Sequence, residues 1–149
     1  MPRPDTEILV EEVIKRSSDY KNPTIVDVGC GSGAISVTLA KEIEGSRVYA
    51  LDLMDTPIKV TKINVKRLGV EDRVLVLKSD VFSNLPKDLE GSVDVIVSNP
   101  PYIKDEVIPT LMVDVKDYEP YEALSGGWDG LVFYRKIAED ALRFLKRMG

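Results

Sequence analysis

Residues 24 to 34 read Thr-Ile-Val-Asp-Val-Gly-Cys-Gly-Ser-Gly-Ala, and this stretch decides the fold. The run from Thr24 to Val28 has the length and apolar character of a buried strand, and it leads directly into three glycines at alternate positions. Beyond them Ile35, Leu39 and Ile43 stand four residues apart, the spacing of one helix face. Glycines permit a tight turn and close approach of a ligand to the backbone, and a helix N-terminus offers free N–H groups. The stretch therefore predicts a strand, a ligand-binding loop and a helix.

The same alternation of strand and helix continues along the chain. Further strands are predicted at residues 47–52, 73–77 and 93–97, with helices at 5–16 and 56–68 and a final amphipathic helix at 134–145. Thr56 is the predicted N-cap of its helix, with Pro57 at the first helical position. This order predicts the α/β class: a three-layer, doubly wound, mostly parallel sheet covered by helices on both faces. Right-handed crossovers place a ligand site at the carboxyl ends of the strands. The strand order that we consider for this sheet is 3-2-1-4.

The second half of the chain departs from this regular pattern. Residues 98–129 show little periodicity, and connections of that length are usually functional or disordered. A parallel strand normally follows a helix such as the last one, so we expect the sheet to be truncated before its fifth strand. The fourth strand, residues 93–97, would then be an exposed apolar edge, and we expect self-association through it.

Composition excludes several classes of function. The 149 residues are 44% hydrophobic and 30% charged, ordinary proportions for one globular domain. No apolar run approaches the roughly 18 residues of a membrane span, so no membrane association is expected. The chain has no histidine and one cysteine, Cys30, which excludes Ser-His-Asp catalysis and nearly every zinc site, and favours a reducing cytoplasm. The net charge of −5 makes nucleic acid an unfavourable partner.

Three aspartates stand at or beyond the predicted strand ends. Asp27 precedes the glycines, and Asp52 ends the second strand. The separation in sequence between the glycines and Asp52 is that at which a carboxylate can accept hydrogen bonds from the ribose hydroxyls of a nucleotide. Asp80 follows the third strand and can reach an adenine amino group. Asp52 is also compatible with a turn or capping role, and Asp80 with that of a loop carboxylate facing water. Gly29-x-Gly31-x-x-Ala34 also fits the loose dinucleotide fingerprint, so an NAD-dependent oxidoreductase is one reading.

The segment Asn99-Pro-Pro-Tyr102 directly follows the fourth predicted strand. Its prolines fix the backbone, so the Asn99 side-chain oxygen and the Pro100 carbonyl oxygen are held in one geometry. Two such acceptors can grip both hydrogens of a planar NH2 group and aim its nitrogen. Tyr102 adds an aromatic face that can stack on the target group or lie near a sulfonium charge. This chemistry favours methyl transfer to nitrogen over hydride transfer.

These two motifs resemble those of a known family. Asp27 to Gly33 resembles motif I of the class I S-adenosylmethionine-dependent methyltransferases, and Asn99 to Tyr102 resembles the motif of those that methylate an amide or exocyclic amine nitrogen. The resemblance extends to the protein-(glutamine-N5) methyltransferases of peptide chain release factors, the HemK/PrmC family. It is carried further by Arg3-Pro-Asp-Thr-Glu7, Tyr118-Glu-Pro120, Ala123-Leu124, Gly126-Gly127, Asp129-Gly130-Leu131 and Phe133-Tyr134-Arg135.

The resemblance implies roles for individual residues. The cofactor S-adenosyl-L-methionine, with S-adenosyl-L-homocysteine as product, would be held by these residues: Asp27, Gly29, Cys30, Gly31, Ser32, Gly33, Asp52, Asp80, Val81 and Asn99. The glutamine side chain would be received by Asn99, Pro100, Pro101 and Tyr102, of which Asn99, Pro100 and Tyr102 would be catalytic. Residues 1–149 would form the catalytic domain, without the family's N-terminal helical domain and C-terminal strands.

The resemblance also implies a substrate protein and a cellular compartment. The substrate would be a cytoplasmic peptide chain release factor. One alternative keeps the chemistry and changes the substrate to the N6 nitrogen of adenine or another exocyclic amine in nucleic acid. Residues 103–124 carry six carboxylates and only two lysines. Their net negative charge weighs against this alternative, because it would lie next to the phosphates of a nucleic acid. Another alternative is a cofactor-binding fragment without activity.

Overall fold

The computed structural model describes residues 4–98, 111–114, 121–122 and 140–146. Its helices are α1 (Pro4–Ser17), α2 (Ala34–Glu42) and α3 (Asp55–Arg67), with a short 3-10 turn at Lys87–Leu89. Its strands are β1 (Thr24–Val28), β2 (Arg47–Asp52), β3 (Val74–Lys78), β4 (Val95–Ser98), β5 (Leu111–Asp114) and β6 (Tyr121–Glu122). Within these residues the strands form one sheet in the order β3-β2-β1-β4-β5-β6.

The first four strands of this sheet are parallel, in the predicted order 3-2-1-4. The run of apolar residues in β1 is explained by its central place, because a strand with neighbours on both sides and helices on both faces has little contact with water. Residues 25–28 of this strand are all buried. The predicted α/β class and parallel core are confirmed.

The prediction for the edge beside β4 is wrong. β5 pairs with β4 in antiparallel orientation along its whole length, from Val95 opposite Asp114 to Ser98 opposite Leu111, and β6 pairs in turn with β5. The apolar run Leu111-Met-Val113 between Thr110 and Asp114 is only three residues long, which is too short to identify a strand in the sequence. Because β5 covers β4, the argument for self-association through that edge no longer holds.

Two hydrophobic cores lie on the two faces of the sheet. One core packs Leu9 and Val13 of α1, Leu39 of α2 and Val65 of α3 against alternate strand residues such as Val48. The other core packs Val26, Leu51 and Ile96 against Phe82 and Phe144, whose ring centroids are 5.4 Å apart. Each fully buried aliphatic side chain contributes about 1.5–3 kcal/mol to stability. The sheet with layers on both faces confirms the predicted three-layer arrangement.

Two local predictions are corrected by the structure, and a third lies partly outside the described residues. The third helix begins at Asp55 with Met54 at the N-cap, not at Thr56, because the Met54 N–H donates to Asp52 Oδ1 (3.0 Å) and turns the chain earlier. The fourth strand begins at Val95, whereas Val93 forms a separate bridge to Leu145. In the last predicted helix, residues 140–144 are helical, whereas residues 134–139 lie outside the described residues.

Candidate active site

The candidate site lies at the carboxyl edge of the parallel strands. The strand register places Val28, the last residue of β1, between Leu51 of β2 and Ser98 of β4. The segments that leave these strands are the glycine loop, the Asp52 turn and the chain from residue 99 onward. Three segments far apart in sequence therefore start from neighbouring points of one sheet edge, which is where open α/β sheets bind ligands.

The glycine loop has a conformation that requires glycine. Gly29, Gly31 and Gly33 have φ values of +76°, +58° and +84°, a region that other residues rarely adopt. A Cβ atom at Gly29 or Gly31 would meet no atom of the described residues within 4 Å, so these residues leave space beside the loop backbone. The N–H groups of Gly29 and Cys30 both donate to the Leu51 carbonyl at 2.8 Å, which fixes the loop to the end of β2.

Asp27 is buried beneath this loop, with 1% of its surface exposed. Its Oδ2 accepts a hydrogen bond of 2.6 Å from the Ser36 hydroxyl of α2, whereas its buried Oδ1 has no partner in the described part of the chain. Burial raises the pKa of Asp27 to about 6, the hydrogen bond from Ser36 opposes this rise, and the charge of Asp52 adds to it. A buried acceptor without a donor suits a cationic or N–H-bearing ligand group.

Asp52 is placed to support the loop and to face a ligand. Its Oδ2 accepts the Gly31 N–H at 3.0 Å, and its Oδ1 accepts the Met54 N–H. Each carboxylate oxygen has a second lone pair, so both can accept a further hydrogen bond. The side chain therefore keeps the capacity to bind ribose hydroxyls while its orientation is fixed by two backbone groups.

Cys30 lies in the loop as a buried and unreactive thiol. Burial raises its pKa to about 12, the charge of Asp27 contributes in the same direction, and a contact of 3.5 Å with the Thr61 hydroxyl opposes it. Because the thiolate is the reactive form, a thiol with this pKa is not a nucleophile at neutral pH. The geometry leaves Cys30 a backbone role in the loop.

The loop after β3 carries Asp80 and Val81. Asp80 is exposed, and its N–H donates to Ser83 Oγ at 3.1 Å. Val81 is buried and has a φ of +57°, which is rare for a β-branched residue, and the Ser79 hydroxyl donates to its carbonyl at 2.8 Å. The backbone bond from the Ser79 N–H to the Asp52 carbonyl brings this loop beside the Asp52 turn.

The predicted substrate residues Asn99, Pro100, Pro101 and Tyr102 lie outside the described residues. The structure does describe the residue that precedes them. Ser98 is fully buried, and its hydroxyl donates to the Val28 carbonyl at 3.0 Å, so the end of β4 is tied to the residue that precedes the glycine loop. The last described residue before the predicted substrate residues is therefore bonded to the residue that precedes the predicted cofactor loop.

Sequence reasoning missed four residues that organise this site: Ser36, Thr61, Asn64 and Ser98. Thr61 of α3 donates to the Gly31 carbonyl, and Asn64 of the same helix donates to the Ser32 carbonyl. The sequence carries no signal for these contacts, because each joins residues 30 or more positions apart. Ser36 follows the glycines closely enough to be considered, because a hydroxyl in the first turn of a helix can face the preceding strand.

A comparison with known sequence families identifies the chain. A model of the methyltransferase small domain matches residues 4–115, three quarters of the sequence. The chain belongs to the methyltransferase small domain family. The site described above is therefore placed in a methyltransferase domain, and its glycine loop corresponds to the predicted cofactor motif.

Curated relatives of this methyltransferase domain have a common name. The chain is 46% identical to the release factor glutamine methyltransferase of Clostridium botulinum, over all of this chain and 52% of that protein. It is 44% identical to the release factor glutamine methyltransferase of Fusobacterium nucleatum, over all of this chain and 41% of that protein. The predicted resemblance is confirmed. The chain spans about half the length of the curated relatives that it matches.

Solved structures support the fold. The N-terminal domain of human METTL16 in complex with SAH aligns with a TM-score of 0.64 and 21% identity, over 97% of this chain and 54% of that one. The geranyl diphosphate methyltransferase in complex with SAM aligns with a TM-score of 0.52 and 16% identity, over 62% of this chain and 48% of that one. At these identities the comparison shows a shared Rossmann-like methyltransferase fold.

The described residues lack two further features. None of their helices is long and apolar enough to cross a membrane. No group of three or more potential metal ligands occurs among them.

Proposed function

We propose that the protein transfers a methyl group from S-adenosyl-L-methionine to the side-chain amide nitrogen (N5) of a glutamine in a peptide chain release factor. The observation that carries this proposal is the 46% identity to a release factor glutamine methyltransferase along the whole of this chain. The geometry of the sheet edge supports it, because the cofactor motif and the segment leading to Asn99 start from adjacent strands.

The residues present suit the cofactor. The described residues leave space beside Gly29 and Gly31 for a ligand against the backbone. They also offer no hydrogen-bond donor to the buried Oδ1 of Asp27, which could accept a hydrogen bond from an ammonium group. We propose that the loop from Gly29 to Gly33, with Cys30 and Ser32, surrounds the methionine portion. Asp52 would hold the ribose, while Asp80 and Val81 would border the adenine. When bound, the cofactor supplies a methyl group bonded to a sulfonium sulfur. The sulfur is a good leaving group because it departs as a neutral thioether.

The substrate side of the proposal rests on Asn99 to Tyr102. An amide nitrogen is a poor nucleophile because its lone pair is delocalised into the carbonyl. The Asn99 side-chain oxygen and the Pro100 carbonyl would accept the two N–H groups of the glutamine and stabilise the positive charge that develops on nitrogen. Pro101 would fix the backbone and Tyr102 would pack against the amide. Positioning supplies most of the catalysis in an in-line displacement, in which the N–C bond forms as the S–C bond breaks. The N-methylated amide is strongly acidic and loses its extra proton to water, so no histidine base is required.

The partner and the compartment are part of the same proposal. A release factor is a protein of the translation machinery, so we place the reaction in the cytoplasm and in the control of translation termination. We further propose that residues 1–149 form the catalytic domain, and that segments present in the longer relatives contribute to docking of the release factor.

The proposal is tested by following methyl transfer from labelled S-adenosyl-L-methionine to a purified release factor. We expect labelling of the wild-type release factor and none when its acceptor glutamine is replaced by alanine. Asn99→Ala in this chain should lower the methylation rate by about 10²–10³-fold, because one of two acceptors of the developing charge is lost. Its affinity for S-adenosyl-L-homocysteine, measured by calorimetry, should stay close to that of the wild type.

A matched variant separates cofactor binding from catalysis. Gly31→Ala places a methyl group in the open space beside the loop, so it should abolish binding of S-adenosyl-L-homocysteine. Methylation of a nucleic acid instead of the release factor would overturn the proposed substrate. Equal losses of rate and affinity in Asn99→Ala would overturn the proposed role of that residue.

A further inference from the structure

One face of α3 contacts the glycine loop at consecutive residues. The Thr61 hydroxyl donates to the Gly31 carbonyl at 2.9 Å and lies 3.5 Å from the Cys30 sulfur. The Asn64 side-chain amide donates to the Ser32 carbonyl at 2.8 Å. Thr61 and Asn64 lie three residues apart, so they share one side of the helix. The outer side of the loop is therefore hydrogen-bonded to the helix that follows the next strand.

The inner side of the loop is held by β2. The Gly31 N–H donates to Asp52 Oδ2, whereas the Gly31 carbonyl accepts from Thr61. Both backbone groups of this glycine are thus bound to the second strand–helix unit rather than to the loop's own flanking elements. This matters because glycine is the residue with the greatest backbone freedom, and a loop with three glycines is otherwise costly to order.

The hydrogen bond to the Gly31 carbonyl explains why a residue with a hydroxyl group occupies position 61. Thr61 is fully buried, with 0% of its surface exposed, at a position where valine would fill nearly the same volume. A buried hydroxyl is unfavourable unless it forms a hydrogen bond, and threonine is not a strong helix former. Thr61 also lies against Gly33, where an added Cβ would come within 2.6 Å of its Cγ2 atom.

We infer that Thr61 and Asn64 are positioning residues that hold the glycine loop in its ligand-binding conformation before the cofactor arrives. Thr61 has the larger effect, because it is fully buried and contacts two residues of the loop. The effect on cofactor affinity rests on the proposed function, whereas the effect on the loop rests on the geometry alone. Neither residue is assigned to contact the cofactor or the substrate.

The test compares Thr61→Val with Thr61→Ser in the full 149-residue chain. Valine removes the hydroxyl and keeps the volume, whereas serine keeps the hydroxyl. Thr56→Val, at an exposed position of the same helix, is the matched control. Two quantities are measured: amide hydrogen exchange at residues 29–33 without ligand, and the Kd for S-adenosyl-L-homocysteine by calorimetry.

We expect Thr61→Val to accelerate loop exchange at least tenfold and to raise the Kd about five- to twentyfold, while amides in β1 and β2 keep their wild-type exchange rates. Thr61→Ser and Thr56→Val should stay within twofold of the wild type in both measurements. Asn64→Ala should also accelerate loop exchange and raise the Kd, by smaller factors than Thr61→Val. If Thr61→Val does not fold, the results for Asn64→Ala decide whether α3 holds the loop.

Three results would count against the inference or the function on which it rests. Wild-type exchange rates in the loop of Thr61→Val and Asn64→Ala would overturn the inference. Faster loop exchange with an unchanged Kd would show a merely structural contact and would also overturn the positioning role. If the wild-type chain binds no S-adenosyl-L-homocysteine, the proposed function fails for this chain, and loop exchange alone still decides whether the two residues order the loop.

Discussion

At the scale of single residues, Asp27 shows a conflict between burial and charge. The carboxyl group is buried beneath the glycine loop and accepts one hydrogen bond, from the Ser36 hydroxyl. Its burial raises the pKa to about 6. An ordinary aspartate in an unfolded chain has a pKa near 3.9. At neutral pH the folded protein therefore keeps a charge in a place where water cannot solvate it. Buried charges of this kind are typical of functional sites.

This conflict predicts a pH dependence of stability. Because the folded pKa lies above the unfolded one, the stabilising contribution of protonated Asp27 is fully present below about pH 4 and is lost as the pH rises through about 6. Between pH 5 and pH 8 the wild type should lose roughly 1–1.5 kcal/mol relative to Asp27→Asn, which cannot ionise. Urea denaturation of both proteins at the two pH values measures this difference. A difference that does not change with pH would contradict the assignment.

At the scale of structural elements, the contact between the glycine loop and α3 makes Gly33 less replaceable than Gly69. Gly33 combines a φ of +84° with close contact to Thr61, whereas Gly69 has a φ of +72° and no atom within 4 Å of an added Cβ. The two residues thus separate backbone strain from steric conflict. In both, a side chain is disfavoured by the backbone, but only at Gly33 does it also meet a packed neighbour.

Gly33→Ala should consequently be more destabilising than Gly69→Ala. The left-handed backbone costs about 1–2 kcal/mol for a non-glycine residue, and forcing a methyl group into a packed site adds about 1–3 kcal/mol. We expect Gly69→Ala to lose about 1–2 kcal/mol and Gly33→Ala about 2–5 kcal/mol in chemical denaturation. Equal losses would mean that Thr61 can move away from the loop without cost.

At the scale of the whole molecule, the binding loop is built into the centre of the fold. The loop joins β1, which lies between β2 and β4, to α2, and it is bound to β2 and α3 as well. A ligand that fits the loop contacts elements from both strand–helix units at once. Binding should therefore stabilise the cooperative unfolding unit rather than a peripheral segment.

This arrangement predicts a large thermal shift on cofactor binding. A ligand at 100 times its Kd stabilises the folded state by about 2.7 kcal/mol, which corresponds to a Tm increase of roughly 8 °C for a domain of this size. Scanning calorimetry with S-adenosyl-L-homocysteine measures the shift. Two controls are included. NAD should not change the Tm of the wild type, and S-adenosyl-L-homocysteine should not change the Tm of Gly31→Ala. A similar shift with NAD would favour the dinucleotide reading of the glycine motif.

The sequence by itself determined the features that depend on neighbouring residues. Apolar runs and helical periods placed the four parallel strands and α1–α3, and the glycines at alternate positions marked the binding loop. Asp27 and Asp52 could be assigned to strand ends because a parallel sheet brings all its carboxyl ends to one edge. The motif from Asn99 to Tyr102 likewise depends only on local chemistry, and its role stays a prediction.

Only the tertiary structure decided the contacts between distant segments. The bonds of Thr61 and Asn64 to the loop join residues 30 and 32 positions apart, and they exist because the crossover of α3 brings one particular face of that helix to the loop. The pairing of β5 with β4 is of the same kind: a four-residue strand has too weak a local signal to be recognised, and its partner's free edge stabilises it. Local periodicity fixes the elements, whereas register and crossover geometry fix which side chains meet.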